Sequence, residues 1–207
     1  MDRTRNQTDH AGEIAAPNRK AAHNARVRQR ILDAAAGLFR KNGYDGTSID
    51  DAMQAADLTR GAFYAHFRSK SALFAAVLEH SHPLLRRLSD LEDSDRDGLS
   101  ELMRNYLEPA HLAEVSTGCT LVALAIDAAR QPDEARLAYG NARARTLAQI
   151  VRCGGPHVDL DKAALILAIS TGSLQAAAAD ADPDRQAMVL RSAQTAVARL
   201  IRGGDLA

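Results

Sequence analysis

Tryptophan is absent, and four phenylalanines with four tyrosines bring the aromatic share to only 4%. A chain so poor in rings and rich in alanine favours packed helices over sheet, and no strand-like alternation of useful length is present. Two cysteines are too few for a disulfide framework. The seven histidines, His10, His23, His66, His80, His82, His111 and His157, show no metal-ligand spacing. His80 and His82, two apart, point to different faces of a helix. There is no Ser-His-Asp order, phosphate-binding loop or dinucleotide fingerprint, so no catalytic residue, metal or cofactor is expected and the chain is not read as an enzyme. No uninterrupted apolar run reaches the roughly 18 residues of a membrane span, and no secretory signal pattern is found. The expectation is a soluble, cytoplasmic protein.

Net charge is lacking as well. Across 207 residues, 26 Lys+Arg face 26 Asp+Glu, a balance that by itself argues against a nucleic-acid partner. The distribution says otherwise. Residues 1–80 carry 12 basic and 9 acidic side chains, net +3, and the remainder is net −3. Arg19, Lys20, Arg26, Arg28 and Arg30 stand together with no acid among them, either as a phosphate-neutralising approach segment or as a solvated charge run. Residues 1–22 are polar, contain Gly12 and Pro17 and lack periodicity, which predicts a disordered basic arm.

What the chain does have is 46% hydrophobic residues, enough for one sizeable core or two smaller ones. A buried stripe of Val27, Ile31, Ala35, Leu38 and Phe39 predicts a helix over 25–42, stopped by Asn42-Gly43. Two short helices follow. Ser48 with Asp51 resembles a capping box, and Asp50 and Asp51 place negative charge in a first turn. Asp57 suits a left-handed helix stop, Leu58 a corner plug, and Thr59 a cap for the next helix. That helix runs from Arg60 to Phe67 with Phe63 and Phe67 on one buried face. Arg60, Gly61, Tyr64 and His66 are left outside. Arg60 can donate twice to a guanine edge, while Tyr64, His66 and Lys70 suit phosphate contacts. Gly61 in a first turn weakens the helix unless a groove or phosphate must come close. Two short helices with these groups on the second suit the major groove of DNA. Taken singly, Tyr64 and His66 are equally ordinary surface residues.

Asn42-Gly-Tyr-Asp-Gly-Thr-Ser48 and Arg60-Gly-Ala-Phe-Tyr-Ala-His-Phe-Arg-Ser-Lys70 together resemble the DNA-binding domain of TetR-type transcriptional regulators, over roughly residues 26–75. Asp57 stands where that family usually has Gly. The resemblance implies an all-α protein of about nine helices. Residues 23–70 would form a three-helix helix-turn-helix domain, and 71–207 a larger helical ligand-binding and dimerisation domain. It also implies operator contacts from Ser48, Arg60, Gly61, Ala62, Tyr64, His66 and Lys70, and a homodimer reading a palindrome on double-stranded DNA. Repression relieved by a small-molecule effector is the family expectation. A DNA-binding scaffold or interaction protein without an effector is the alternative.

Downstream, one helix starts near Ser69 and meets Pro83, which should kink or break it. Further helices are predicted over about 98–113, 118–130, 133–153, 160–179 and 183–202, with breaks at Gln131-Pro132, Gly154-Gly155-Pro156 and Asp182-Pro183. In the last two, Ala164, Leu167, Ala168, Thr171, Leu174 and Ala178, with Gly172 beside them, and Met188, Val189, Ala193, Ala196, Val197 and Leu200 form small-residue faces. These serve either intrachain packing or, as the resemblance implies, the dimer interface. Tyr106, Cys119, Val122 and Tyr139 are candidate ligand-pocket residues, and Arg143 and Arg145 candidate partners for an anionic effector. Gly118-Cys119-Thr120 opens a helix, where the dipole would stabilise a thiolate. A similar Gly-Cys step occurs in a TetR subgroup that includes electrophile- and quinone-responsive regulators. The plainer reading of Cys119 is a small buried hydrophobe.

Overall fold

The computed structural model describes residues 19–80, 82–113 and 118–204, and among them every regular element is helical. The bulk of the expected N-terminal arm, residues 1–18, lies outside the described residues, whereas Arg19–Ala22 form the first turn of a longer helix than the periodicity predicted. The elements are α1 (Arg19–Asn42), α2 (Ile49–Ala55), α3 (Arg60–Phe63), α4 (Lys70–His80), α5 (Pro83–Ser89), α6 (Arg96–Tyr106), α7 (Pro109–Ala113), α8 (Thr120–Ala123), α9 (Ala125–Arg130), α10 (Asp133–Gly154), a 3-10 turn at Gly155–His157, α11 (Leu160–Ala178) and α12 (Pro183–Ile201).

The break expected at Pro83 occurs, and two further expected helices are each divided in two. Pro83 starts α5 instead of continuing α4, because its ring and missing N–H suit only a first turn. Pro109 does the same for α7 after Leu107 and Glu108. The segment expected as one helix over 118–130 bends at Leu124, whose φ of −112° and ψ of 10° lie off helical values. Elsewhere the boundaries follow sequence chemistry. Gly155 leaves α10 at φ +59°, and the Asp159 and Asp182 carboxylates accept from backbone N–H groups to cap α11 and α12.

Two cores result. The first joins Ile31, Leu32, Ala35 and Phe39 of α1 to Ala52, Met53, Phe63 and Phe67, with Leu73, Phe74, Val77 and Leu78 of α4 closing it. Phe39, Tyr44 and Phe74 meet as a ring cluster with centroids 5.0–6.1 Å apart. The boundary expected at residue 70 therefore falls at the edge of α4, a helix packed with the three before it. Leu124 at the α8–α9 bend, Ala128 of α9, and Ala135 and Ala138 of α10 also belong to this core, so the N-terminal unit sits on a platform supplied by the body. The second core is built by α5, α6 and α8 together with the long helices α10, α11 and α12.

Candidate nucleic-acid interface and effector cavity

The local chemistry of α2 and α3 is what the residues dictate. Ser48 Oγ accepts from the Asp51 N–H at 3.0 Å while the Asp51 carboxylate accepts from the Ser48 N–H at 2.9 Å, a complete capping box. The Ser48 hydroxyl, which also donates to the Asp51 carboxylate at 2.6 Å, and the Ser48 N–H hold the Asp51 carboxyl below its usual pKa. Asp57 takes φ +52°, and the Leu58 N–H returns to the Met53 carbonyl at 2.9 Å. Arg30 donates to the Ala56 carbonyl at 2.6 Å, so this cation closes the end of α2 rather than standing free beside it. Thr59 occupies the cap position of α3, but its side chain makes no cap hydrogen bond, contrary to the expectation. The helix expected to reach Phe67 ends at Phe63. Both the His66 and the Phe67 N–H groups bond the Phe63 carbonyl at 2.9 Å, which tightens the chain into a turn before Ser69 Oγ caps α4.

Phe63 and Phe67 are buried, as their spacing requires. The opposite side of α3 is open. Tyr64 is 59% exposed, and Ser48, Arg60 and Gly61 are exposed, while Ala62, His66 and Lys70 are partly covered. A methyl group added at Gly61 would meet only Thr59 Oγ1, at 4.0 Å. Nothing among the described residues requires glycine there. Arg60 pairs with Asp50 of α2 at 2.5 Å, which presets the guanidinium on the outer surface, and both partners stay more than half exposed. Lys70 lies over the Tyr44 ring at 4.3 Å, and Arg28 over Phe67 at 4.9 Å. Arg28, Tyr64, His66 and Arg68 share one groove. The result is a small rigid head with basic and hydrogen-bonding groups on one helix and a gap in side-chain cover at Gly61.

A second surface lies on α11 and α12. Of the faces expected to pair between subunits, Leu167, Leu174, Ala193, Val197 and Leu200 are buried in the chain's own core. The small residues occur all round these helices, so spacing alone could not separate the inner from the outer face. The outer face carries Leu165 (44% exposed), Ala168, Gly172 and Met188 (54% exposed), with a shallow apolar groove along Ile169, Val189 and Ala196. A methyl group at Gly172 would touch nothing within 4 Å among the described residues.

The four candidate ligand residues separate. Cys119 and Val122 line a cavity of about 570 Å³ between α1, α7, α8 and the end of α11. Tyr106 is 2% exposed behind Cys119, and its hydroxyl has no hydrogen-bonding oxygen or nitrogen partner among the described residues. Tyr139 donates to the Leu121 carbonyl at 2.9 Å, holding α10 to α8 instead of lining the cavity. The Cys119 thiol is buried, and burial pushes its pKa up despite nearby N–H groups and Arg40. The thiolate expected from a helix start is therefore not favoured; α8 spans only four residues and its dipole is correspondingly small. Arg145 donates to the Glu79 carbonyl at 2.7 Å, away from this cavity.

Sequence reasoning missed the groups that join the head to the body. Arg40, in the last turn of α1, donates to Thr120 Oγ1 at 3.1 Å and lines the cavity; its burial lowers its pKa from the usual arginine value. The Asp127 carboxylate accepts from the Tyr44 N–H at 2.9 Å. Nothing in the local pattern of Arg40 or Asp127 marks a partner 80 residues away.

Comparison with known proteins gives a consistent picture. Residues 31–77 match the family described as bacterial regulatory proteins, tetR family. Over 55 residues, 27% of this chain, the sequence is 47% identical to the HTH-type transcriptional regulator AcrR of Shigella flexneri, covering 26% of that protein. Over 82 residues, 39% of this chain, it is 35% identical to the HTH-type transcriptional repressor DhaR of Mycobacterium sp. (strain GP1), covering 41% of it. The chain thus matches less than half the length of either relative. Whole-chain likeness is structural. Reduced NemR of Escherichia coli superposes with a TM-score of 0.68 over 83% of this chain and 95% of that one, at 21% identity. A TetR transcriptional regulator from Chloroflexus aurantiacus gives 0.67 over 88% and 98%, at 26% identity.

Proposed function

We propose that the protein is a homodimeric, cytoplasmic and nucleoid-associated transcriptional repressor, a reading supported by the match of residues 31–77 to the tetR family and by the all-helical likeness to a TetR transcriptional regulator. Two copies pair through the outer faces of α11 and α12 and present two α3 heads to a palindromic operator. In this reading Arg60 donates to a base edge, Ser48, Tyr64, His66 and Lys70 contact phosphates, and Gly61 and Ala62 let the groove approach. The observation that carries it is the open side of α3: Gly61 costs helix stability, meets nothing among the described residues that requires glycine, and stands beside exposed Arg60 and Tyr64.

A dimer reads a palindrome only when its two heads are spaced by about one turn of DNA, roughly 34–36 Å, or a multiple. A small molecule that prefers another spacing releases the operator, and a differential of a few kcal/mol suffices. The cavity beside Arg40 supports a non-covalent effector, since it touches α1 directly. Selection of duplexes from a random pool tests the reading. An inverted repeat should emerge, and Arg60→Ala should cost about 1–3 kcal/mol and relax preference at one base of each half-site. Recovery of no common sequence, or equal losses on selected and random DNA, would reject base reading by α3.

A further inference from the structure

The cavity between head and body has a definite chemistry. Apolar groups, among them Leu112, Val122, Leu174 and Ala178, form its walls, and Ile126, 60% exposed, stands among its lining residues. Arg40 carries its permanent charge, and no Asp or Glu lines it among the described residues. We propose that this cavity binds an amphipathic anion, a carboxylate on a medium-length apolar body, with the carboxylate on Arg40 and the body lying along α8 and α11. The inference rests on the effector reading given above and names its ligand class.

Three features favour that class. The volume, about 570 Å³, falls within the range of small-molecule sites. The guanidinium is partly buried, where an ion pair is strengthened by the low local dielectric. A carboxylate engages guanidinium through two parallel charge-assisted bonds, stronger than a bond to a neutral hydroxyl such as the one Arg40 gives Thr120. The site asks of Arg40 only a fixed charge at this position; its present bonds need only be shared or outcompeted. A neutral molecule of the same length gains the apolar wall alone, and a cation is repelled.

The position of Arg40 gives the binding a consequence. It lies in the last turn of α1, the helix whose buried face backs α2 and α3. A carboxylate drawn onto Arg40 replaces an α1–α8 bond with an α1–ligand bond, while the body of the ligand pushes on α8 and on Gln175, whose amide donates to the Val122 carbonyl at 2.9 Å. The head then shifts on its platform and the spacing of two heads changes.

Isothermal calorimetry on the full chain, without DNA, tests the site using decanoate, decanol and decyltrimethylammonium below their micelle concentrations. Decanoate should bind at least tenfold more tightly than decanol, and the cation should not bind. Arg40→Met should erase the preference for decanoate while leaving decanol binding in place. Ala178→Phe, which keeps Arg40 and fills the cavity, should abolish uptake of both and serves as the second variant if Arg40→Met fails to fold. Equal binding of decanoate and decanol, no binding of either, an undiminished preference in Arg40→Met, or undiminished uptake by Ala178→Phe would overturn the proposal. Fluorescence anisotropy on the selected duplex then separates the two readings. Decanoate should lower DNA affinity in the native chain and not in Arg40→Met. Binding without that effect would overturn the coupling through α1, whereas a protein that selects no duplex but still binds decanoate through Arg40 would sink the regulator reading alone.

Discussion

Replacing Gly61 by alanine separates what the fold needs from what the partner needs. Among the described residues the new methyl group meets open space, its nearest neighbour being Thr59 Oγ1 at 4.0 Å. Gly61 is not among the glycines with positive φ, so alanine is accommodated without backbone strain. Removing a helical glycine gains roughly 0.4–1 kcal/mol, in part by restricting the unfolded chain. For a chain of this size that raises Tm by about 1–4 °C. Against DNA the sign reverses. A methyl group forced into a close contact costs about 1–3 kcal/mol per head by overpacking, and a dimer places two heads on one site. Even at the low end, about 2 kcal/mol per dimer corresponds to a loss of roughly 30-fold in operator affinity. Thermal melts and fluorescence anisotropy on the same preparation give both numbers. A variant that melts higher and binds DNA as tightly as the native chain would refute the claim that α3 presses against the duplex at Gly61.

Three further outcomes are expected. Tyr64→Ala, at a side chain 59% exposed that touches only the edge of Phe63 among the described rings, should change stability by no more than about 0.5 kcal/mol and weaken binding to all DNA sequences alike; unchanged affinity would remove Tyr64 from the contact set. Gly172→Leu should leave the melting of the monomer fold nearly unaltered, since the position faces open space, yet yield monomers in sedimentation; an intact dimer would place the interface elsewhere. His82 is buried between α4 and α5, bonds the Leu78 carbonyl through Nε2, and has its pKa lowered by burial and by the charges of Arg145, Arg40 and His80, against the raising effect of that bond. Folded His82 therefore refuses a proton that the unfolded chain accepts, so stability should fall as pH drops below the ordinary histidine value of about 6.5 and level off below the folded pKa. Urea melts between pH 7.5 and 5 should show a shallower pH slope in His82→Gln; an identical slope would contradict the assignment.

The head was legible in the sequence because its rules are local. Ser48 with Asp51, the left-handed Asp57 and the Phe63–Phe67 pair each determine geometry within a few residues. The long helices were legible from periodicity and from breakers such as Pro132, Pro156 and Pro183. The bend at Leu124 carries no Gly or Pro and escaped notice. So did the outer face of α11 and α12, because alanine-rich helices offer small residues on every side and only tertiary packing decides which side is buried. Arg40–Thr120 and Tyr44–Asp127 are long-range pairs, and no pattern within either segment announces the other. Cys119 was legible as a position but not as an environment: burial among the surrounding helices raises the pKa of its thiol, against the lowering hydrogen bond with Tyr106.

The central claim is that α3 reads DNA as one of a twofold pair. A footprint of the native full chain on the DNA upstream of its own gene tests it most directly. The account predicts protection of an inverted repeat with half-sites about one helical turn apart, lost in Arg60→Ala. Uniform protection without an inverted repeat, or no protection at concentrations where the protein is dimeric, would contradict it.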